Sequence, residues 1–259
     1  MNPSSATSFA RTNYVFNLGD NVNGAQTASL DQLTTRGPFP RAFQLTLAAL
    51  TDGTSNTTMF GEVSTISGPQ NNAGELIALN PPIQGRAIEG VRSIPLTGTS
   101  GAPMTSMDVL DCKTRVRGGT YPTANSTTRF GTTAGMVWIR CGVAWIGYHS
   151  IIGPNGASCY NGVGNTGQPS ESPLSIRTVG SYHSGGAHVV TFDNSVKFVP
   201  NEIDTTNTNP GATALNYTSP GRTAGGNQTA DWNSPSPFGV WGAMGTVGSG
   251  DDVGVLPGA

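Results

Sequence analysis

Gly, Pro, Thr, Ser and Asn supply 129 of the 259 residues, charged residues are 11%, and the formal net charge is −2. So little charge gives no electrostatic footprint for nucleic acid or an anionic membrane. The scarcity of helix formers argues against a helical bundle or coiled coil. Disorder of the usual kind needs a high net charge, which is absent. The composition therefore predicts a folded, loop-rich, mostly β protein, and 259 residues can bury a core as one large domain or two smaller ones. Of these, one α+β domain over residues 1–259, predominantly antiparallel β with long loops, is the expectation. No run reaches the roughly 18 apolar residues of a membrane helix.

In chain order, the first residues carry no basic or apolar targeting segment. Residues 13–18 (NYVFNL) read as a short strand entering a Gly19-Asp20 turn. Ala42–Leu50 fits helical and strand spacing equally. Thr51–Thr57 (TDGTSNT) is a turn cluster with a potential N-cap at Asp52 or Thr54. A strand over Thr58–Val63 leaves it. Residues 66–133 and 205–235 are punctuated by Gly, Pro and Thr and read as long loop excursions. Met136–Ile152 holds Trp138 and Trp145 and reads as a buried strand region, followed by a turn at Pro154-Asn155-Gly156.

The clearest local signal is two β-rich runs, 187–192 and 195–199, around Asp193-Asn194. They predict a hairpin with a two-residue type I′ turn. That turn pairs 192 with 195 and places Val189, Thr191, Val196 and Phe198 on the core face. Lys197 then shares the other face with His188 and Val190. Phe238–Gly245 closes the chain with Trp241.

Several stretches together resemble one bacterial family, the DUF1559 proteins, whose C-terminal signature is His, nine residues, then Asp-Gly. His183 is followed by nine residues and Asp193-Asn194, and Ser181–Ala187 (SYHSGGA) resembles the lead-in with Gly185 and Gly186. Asn194 replaces the usual glycine and also tolerates positive φ. Leu50–Thr57 with Phe60-Gly61-Glu62, Pro154–Cys159, and Asn13–Gly19 resemble three further family segments. The resemblance implies a pilin-like globular domain, here without its N-terminal helix, at the cell surface or outside the cell.

Candidate chemistry is sparse. His183 and His188 are five apart, which puts them on opposite faces of a strand and about 140° apart on a helix. Neither pattern makes a metal pair, so His183 is expected to anchor the hairpin near Asp193. Asp52, with Gly53 and Asn56, and Glu62 flank the turn cluster and raise a calcium site, which needs six to eight oxygens; no Asp-x-Asp-x-Asp-Gly run supports it. Hydrolase, Walker and dinucleotide fingerprints are missing. Cys112, Cys141 and Cys159 allow three disulfide pairings, or free thiols. Closing Cys141 to Cys159 would contribute roughly 3 kcal/mol in the chain-entropy model.

The expected function is a structural, pilin-like surface subunit that self-assembles as a homo-oligomer or polymer with other surface subunits, without catalysis or a required cofactor. The rivals are a secreted module binding polysaccharide through Trp232, Trp241 or Tyr217, and a hydrolase using His183 with Asp193 or Asp52.

Overall fold

The computed structural model describes residues 12–20, 36–39, 45–63, 146–156, 159–160, 175–205, 235–248 and 250. It is a β-rich chain. Seven short strands are β1 (Tyr14–Asn17), β2 (Thr58–Glu62), β3 (Gly147–Tyr148), β4 (Cys159–Tyr160), β5 (Ser175–Ile176), β6 (Gly186–Thr191) and β7 (Val196–Pro200). A five-stranded sheet runs β3-β1-β2-β6-β7, and β4 and β5 form a separate antiparallel pair. The large sheet is mixed, because β1 and β3 pair in parallel while its other neighbours are antiparallel. The strands predicted at 13–18 and 58–63 are β1 and β2.

Alternation decides which side chains reach the core. Val15, Val189, Ala187 and Val199 point inward and pack with Val63, Tyr148, Val179, Ile203, Trp241 and Met244. Gly61 lies in the same inward row, opposite Val15 and Val189. A Cβ there would run into Val179 and crowd Tyr148, so the missing side chain lets the opposite layer approach. A short helix, α1 (Gly239–Ala243), carries Trp241 into this core. Trp241 stacks on Tyr148 at 6.0 Å, and its indole N–H donates to Ile152 O at 3.0 Å.

The outward face has two rows. Phe16, Phe60, Val190 and Val196 lie side by side across β1, β2, β6 and β7. Phe39 covers part of this row, against Phe16, Phe60 and the neighbouring Phe192. One step along, Tyr14 lies opposite Glu62 and His188 opposite Phe198.

Three predicted details are corrected. The hairpin pairs Val190 with Val196 and His188 with Phe198, one residue away from the predicted register. Its loop is Phe192-Asp193-Asn194: Asn194 N–H donates to Thr191 O, and Asn194 sits at φ 66. This is the three-residue loop that ends in a left-handed residue, not a two-residue I′ turn. The one-residue slip exchanges the faces. Val196 and Phe198 turn outward and are exposed, whereas Val199 is fully buried. Of the ambiguous stretch Ala42–Leu50, residues 45–50 are described, and they hold a 3-10 turn, Leu47–Ala49. Asp52 caps no helix: its carboxylate accepts from Gly250 N–H at 3.0 Å and from the Thr246 hydroxyl at 3.4 Å. The loops at 66–133 and 206–234, Cys112 and Cys141 lie outside the described residues, and of Cys159 only the backbone is described.

Candidate functional site

Glu62, His183 and His188 come together where β2 ends and β6 begins. The sheet itself supplies the first pair. Gly61 pairs with Val189, so the next residue of β2, Glu62, stands beside His188 of β6. His188 donates its backbone N–H to Glu62 Oε2 at 2.8 Å, and its Nδ1 lies 3.3 Å from the same oxygen.

His183 arrives from the loop before β6. Gly180 N–H donates to Glu62 O at 2.9 Å, so the loop starts at the glutamate's own backbone. The Ser181 hydroxyl accepts from His183 N–H at 3.1 Å and donates to Gly186 O at 2.7 Å. Asn155, at φ 58, accepts from Ser181 N–H and donates to Gly186 O. Gly185 at φ +82 turns the chain back into β6, a conformation that a side chain would strain. The result places His183 Nε2 3.6 Å from Glu62 Oε1 and its ring edge-on to His188, with centroids 4.7 Å apart. His183 is 55% exposed and Glu62 18%. One donor atom from each of the three residues lies within 4.8 Å of the others, a set that can hold a metal ion.

The expectation that His183 and His188 cannot meet fails because they belong to different elements. Periodicity holds within a strand or helix, and the Gly185 turn lies between them. His183 also does not anchor the hairpin near Asp193. The two lie at opposite ends of β6, about 20 Å apart at the usual strand rise. Asp193 instead organises the loop at the other end. The Thr191 hydroxyl donates to Asp193 Oδ1 at 2.6 Å and Ser195 N–H at 3.0 Å, and these bonds hold its carboxyl well below the usual range.

The turn cluster 52–57 packs on this far end. Thr54 O and Thr57 O accept from Asp193 N–H and Phe192 N–H, and Lys197 Nζ donates to Ser55 O. Asn56 Nδ2 donates to Asp52 O, and Gly53 sits at φ 95. Asp52 and Glu62 are therefore separated by the length of β2, and the calcium pairing is not assembled. Neither is a dyad of His183 with Asp193 or Asp52. Trp241 is fully buried and presents no face to a sugar, while Trp232 and Tyr217 lie outside the described residues.

Two buried titratable groups stand apart from the cluster. Burial pushes the Tyr148 hydroxyl well above its ordinary value, against a smaller opposing effect of its bond to Thr58. Burial, helped by the Arg177 guanidinium, pushes His149 down to about 3. His149 Nδ1 accepts from Arg177 N–H at 3.3 Å, which keeps the ring neutral and structural.

Sequence reasoning missed Glu62 and His188 as partners of His183, and Ser181 and Asn155 as the residues that shape its loop. The signal available was strand pairing: with β2 and β6 taken as neighbours, Glu62 falls opposite His188. Pieces of all four stretches that carried the family resemblance meet at this end of the sheet. Asn13 O accepts from Val63 N–H, Tyr14 pairs with Glu62, and Asn155 and Ser181 shape the loop.

Neither a curated protein nor a solved structure matches the chain. A family model described as a protein of unknown function, DUF1559, matches residues 1–206. With more than half of its length matched, the chain belongs to the DUF1559 family.

Proposed function

We propose that the chain is a structural, pilin-like subunit of the bacterial cell surface that assembles with copies of itself and catalyses no reaction. The observation that carries this reading is β7. It stands last in the strand order of the large sheet, with Val196 65% and Phe198 45% exposed. A strand in that position with outward apolar side chains is a template for pairing with another chain. The low charge adds to this, because copies with a net charge of −2 repel one another weakly. Two of the described carboxylates outside the Glu62 cluster serve local structure: Asp52 ties down the C-terminal segment and Asp193 organises a turn.

Sedimentation velocity over a concentration series, with electron microscopy of the same samples, tests the reading. Wild-type chain forms ordered oligomers or filaments, and Val196→Lys abolishes them without changing the circular dichroism spectrum. Dispersed monomers of the wild-type chain at millimolar concentration overturn it.

A further inference from the structure

We propose that Glu62, His183 and His188 bind one divalent transition-metal ion, of the zinc class, which staples the 181–185 loop to the end of β2. The inference stands independently of whether the chain assembles.

The donor set chooses the class of ion. Two imidazole nitrogens and one carboxylate suit borderline ions such as zinc, cobalt and nickel. Calcium and magnesium demand shells of oxygen that this site does not offer. Three protein ligands with an open side are also the pattern of zinc sites that keep a position for water or a foreign donor.

The distances fit the same ion. Two ligands each about 2.0–2.1 Å from a tetrahedral zinc stand roughly 3.3 Å apart. Glu62 Oε2 to His188 Nδ1 is 3.3 Å, and Glu62 Oε1 to His183 Nε2 is 3.6 Å. The first distance also suits a hydrogen bond and the second an ion pair, and both are close to the spacing of two ligands on one zinc. Small rotations of the exposed His183 ring bring three donors onto one centre.

The surroundings hold those donors whether or not an ion is present. His188 N–H fixes Glu62 Oε2, Gly180 N–H fixes Glu62 O, and Ser181 fixes the backbone of His183. Such outer contacts set ligand orientation and weigh on affinity by factors of roughly 10 to 100. The exposed side of His183 gives the ion its way in.

The test is isothermal titration of the full chain, stripped with EDTA, with zinc, cobalt, calcium and magnesium in turn. One zinc binds per chain, cobalt gives the intense visible absorption of a low-coordinate site, and calcium and magnesium bind at least about 100-fold more weakly. His183→Ala, at an exposed position that leaves the fold intact, weakens zinc by about 100-fold or more, and Glu62→Gln does the same. Ser181→Ala keeps all three donors, so it retains the one-to-one stoichiometry with affinity reduced about tenfold. No zinc binding by the wild-type chain overturns the proposal, and so does zinc affinity unchanged in His183→Ala. Calcium binding as tight as zinc overturns the choice of ion and the proposal with it.

Discussion

Replacing Thr58 by valine removes one buried hydroxyl and keeps the side-chain shape. That hydroxyl is a junction. It accepts from Tyr148 OH at 2.8 Å and Asn17 Nδ2 at 2.9 Å, and it donates to Met244 O at 2.9 Å. The three lost bonds are not equivalent. Asn17 Nδ2 still has Thr58 O and Gly245 O as acceptors, and Met244 O still receives Thr58 N–H. Only the Tyr148 hydroxyl loses its hydrogen-bond acceptor, in a fully buried place. An orphaned buried donor costs about 1–3 kcal/mol, and each of the other bonds about 0.5 kcal/mol net. The added methyl group offsets about 0.8 kcal/mol of that. Thr58→Val is therefore expected to cost about 2 kcal/mol, a fall of about 4–8 °C in Tm for a chain of this size. Tyr148→Phe leaves the junction its other two partners and costs about 1 kcal/mol. In the double variant the orphan is gone, so the combined cost falls short of the sum by at least about 1 kcal/mol. Guanidinium denaturation followed by tryptophan fluorescence and circular dichroism measures all four corners of the cycle. Additivity within about 0.5 kcal/mol would refute the reasoning, because it would mean that the two hydroxyls share no bond of consequence.

His149 makes stability fall on the acid side. Its folded value of about 3 lies below the ordinary 6.5, so the unfolded chain takes up the proton first as pH drops. The contribution is complete above 6.5 and is lost between there and about 3, with a slope approaching roughly 1.4 kcal/mol per pH unit. Urea midpoints from pH 7 to pH 4 show this slope, and His149→Asn, which keeps an acceptor for Arg177 N–H, flattens it; an unchanged slope in the variant contradicts the assignment. At the hairpin loop, Asn194→Gly holds stability within about 0.5 kcal/mol and Asn194→Val costs about 1–2 kcal/mol, because φ 66 suits glycine and asparagine and crowds a β-branched side chain. Equal stability of the glycine and valine variants in the same denaturation assay sinks that reading.

Composition and turn chemistry made the local elements legible: β1, β2, the existence of the β6–β7 hairpin and the turn at Asn155 all follow from short apolar runs between turn-formers. The hairpin register did not follow, because positive φ at Asn194 is compatible with a two-residue and a three-residue loop. The two differ by one residue, and that residue decides whether Val196 and Phe198 lie inside or outside. Asp52 misled for another reason. A helix cap is a local inference, and its real partners, Thr246 and Gly250, stand almost two hundred residues along the chain. Trp241 was equally opaque, since an aromatic in a Gly-rich tail reads the same whether it meets a ligand or, as here, Tyr148. The Glu62 cluster needed knowledge that β2 and β6 are neighbours, which periodicity within one segment does not contain.

The spacing of the His183–Asp193 signature now has a physical content. The nine intervening residues are Ser184 and Gly185 in the entering turn, the six residues of β6, and Phe192 at the start of the loop. The spacing thus measures one strand with its two ends. It does not bring His183 to Asp193; it keeps them apart, with a donor cluster at one end and a tight loop at the other. It also preserves the register between β6 and β2. Asp193 and the turn cluster 52–57 pin the far end of β6, through Thr54 O and Thr57 O, and β2 runs from that cluster to Glu62 with one register shift against β6, between Thr58 and Phe60. Counting back from this pinned end, and across that shift, His188 falls beside Glu62 on the outward face. One residue more or fewer in β6 would turn His188 inward against the core and leave Glu62 facing an apolar neighbour. A signature that looks like a catalytic pair in sequence therefore acts as a ruler, and the chemistry it positions lies between His183, His188 and a glutamate from another strand.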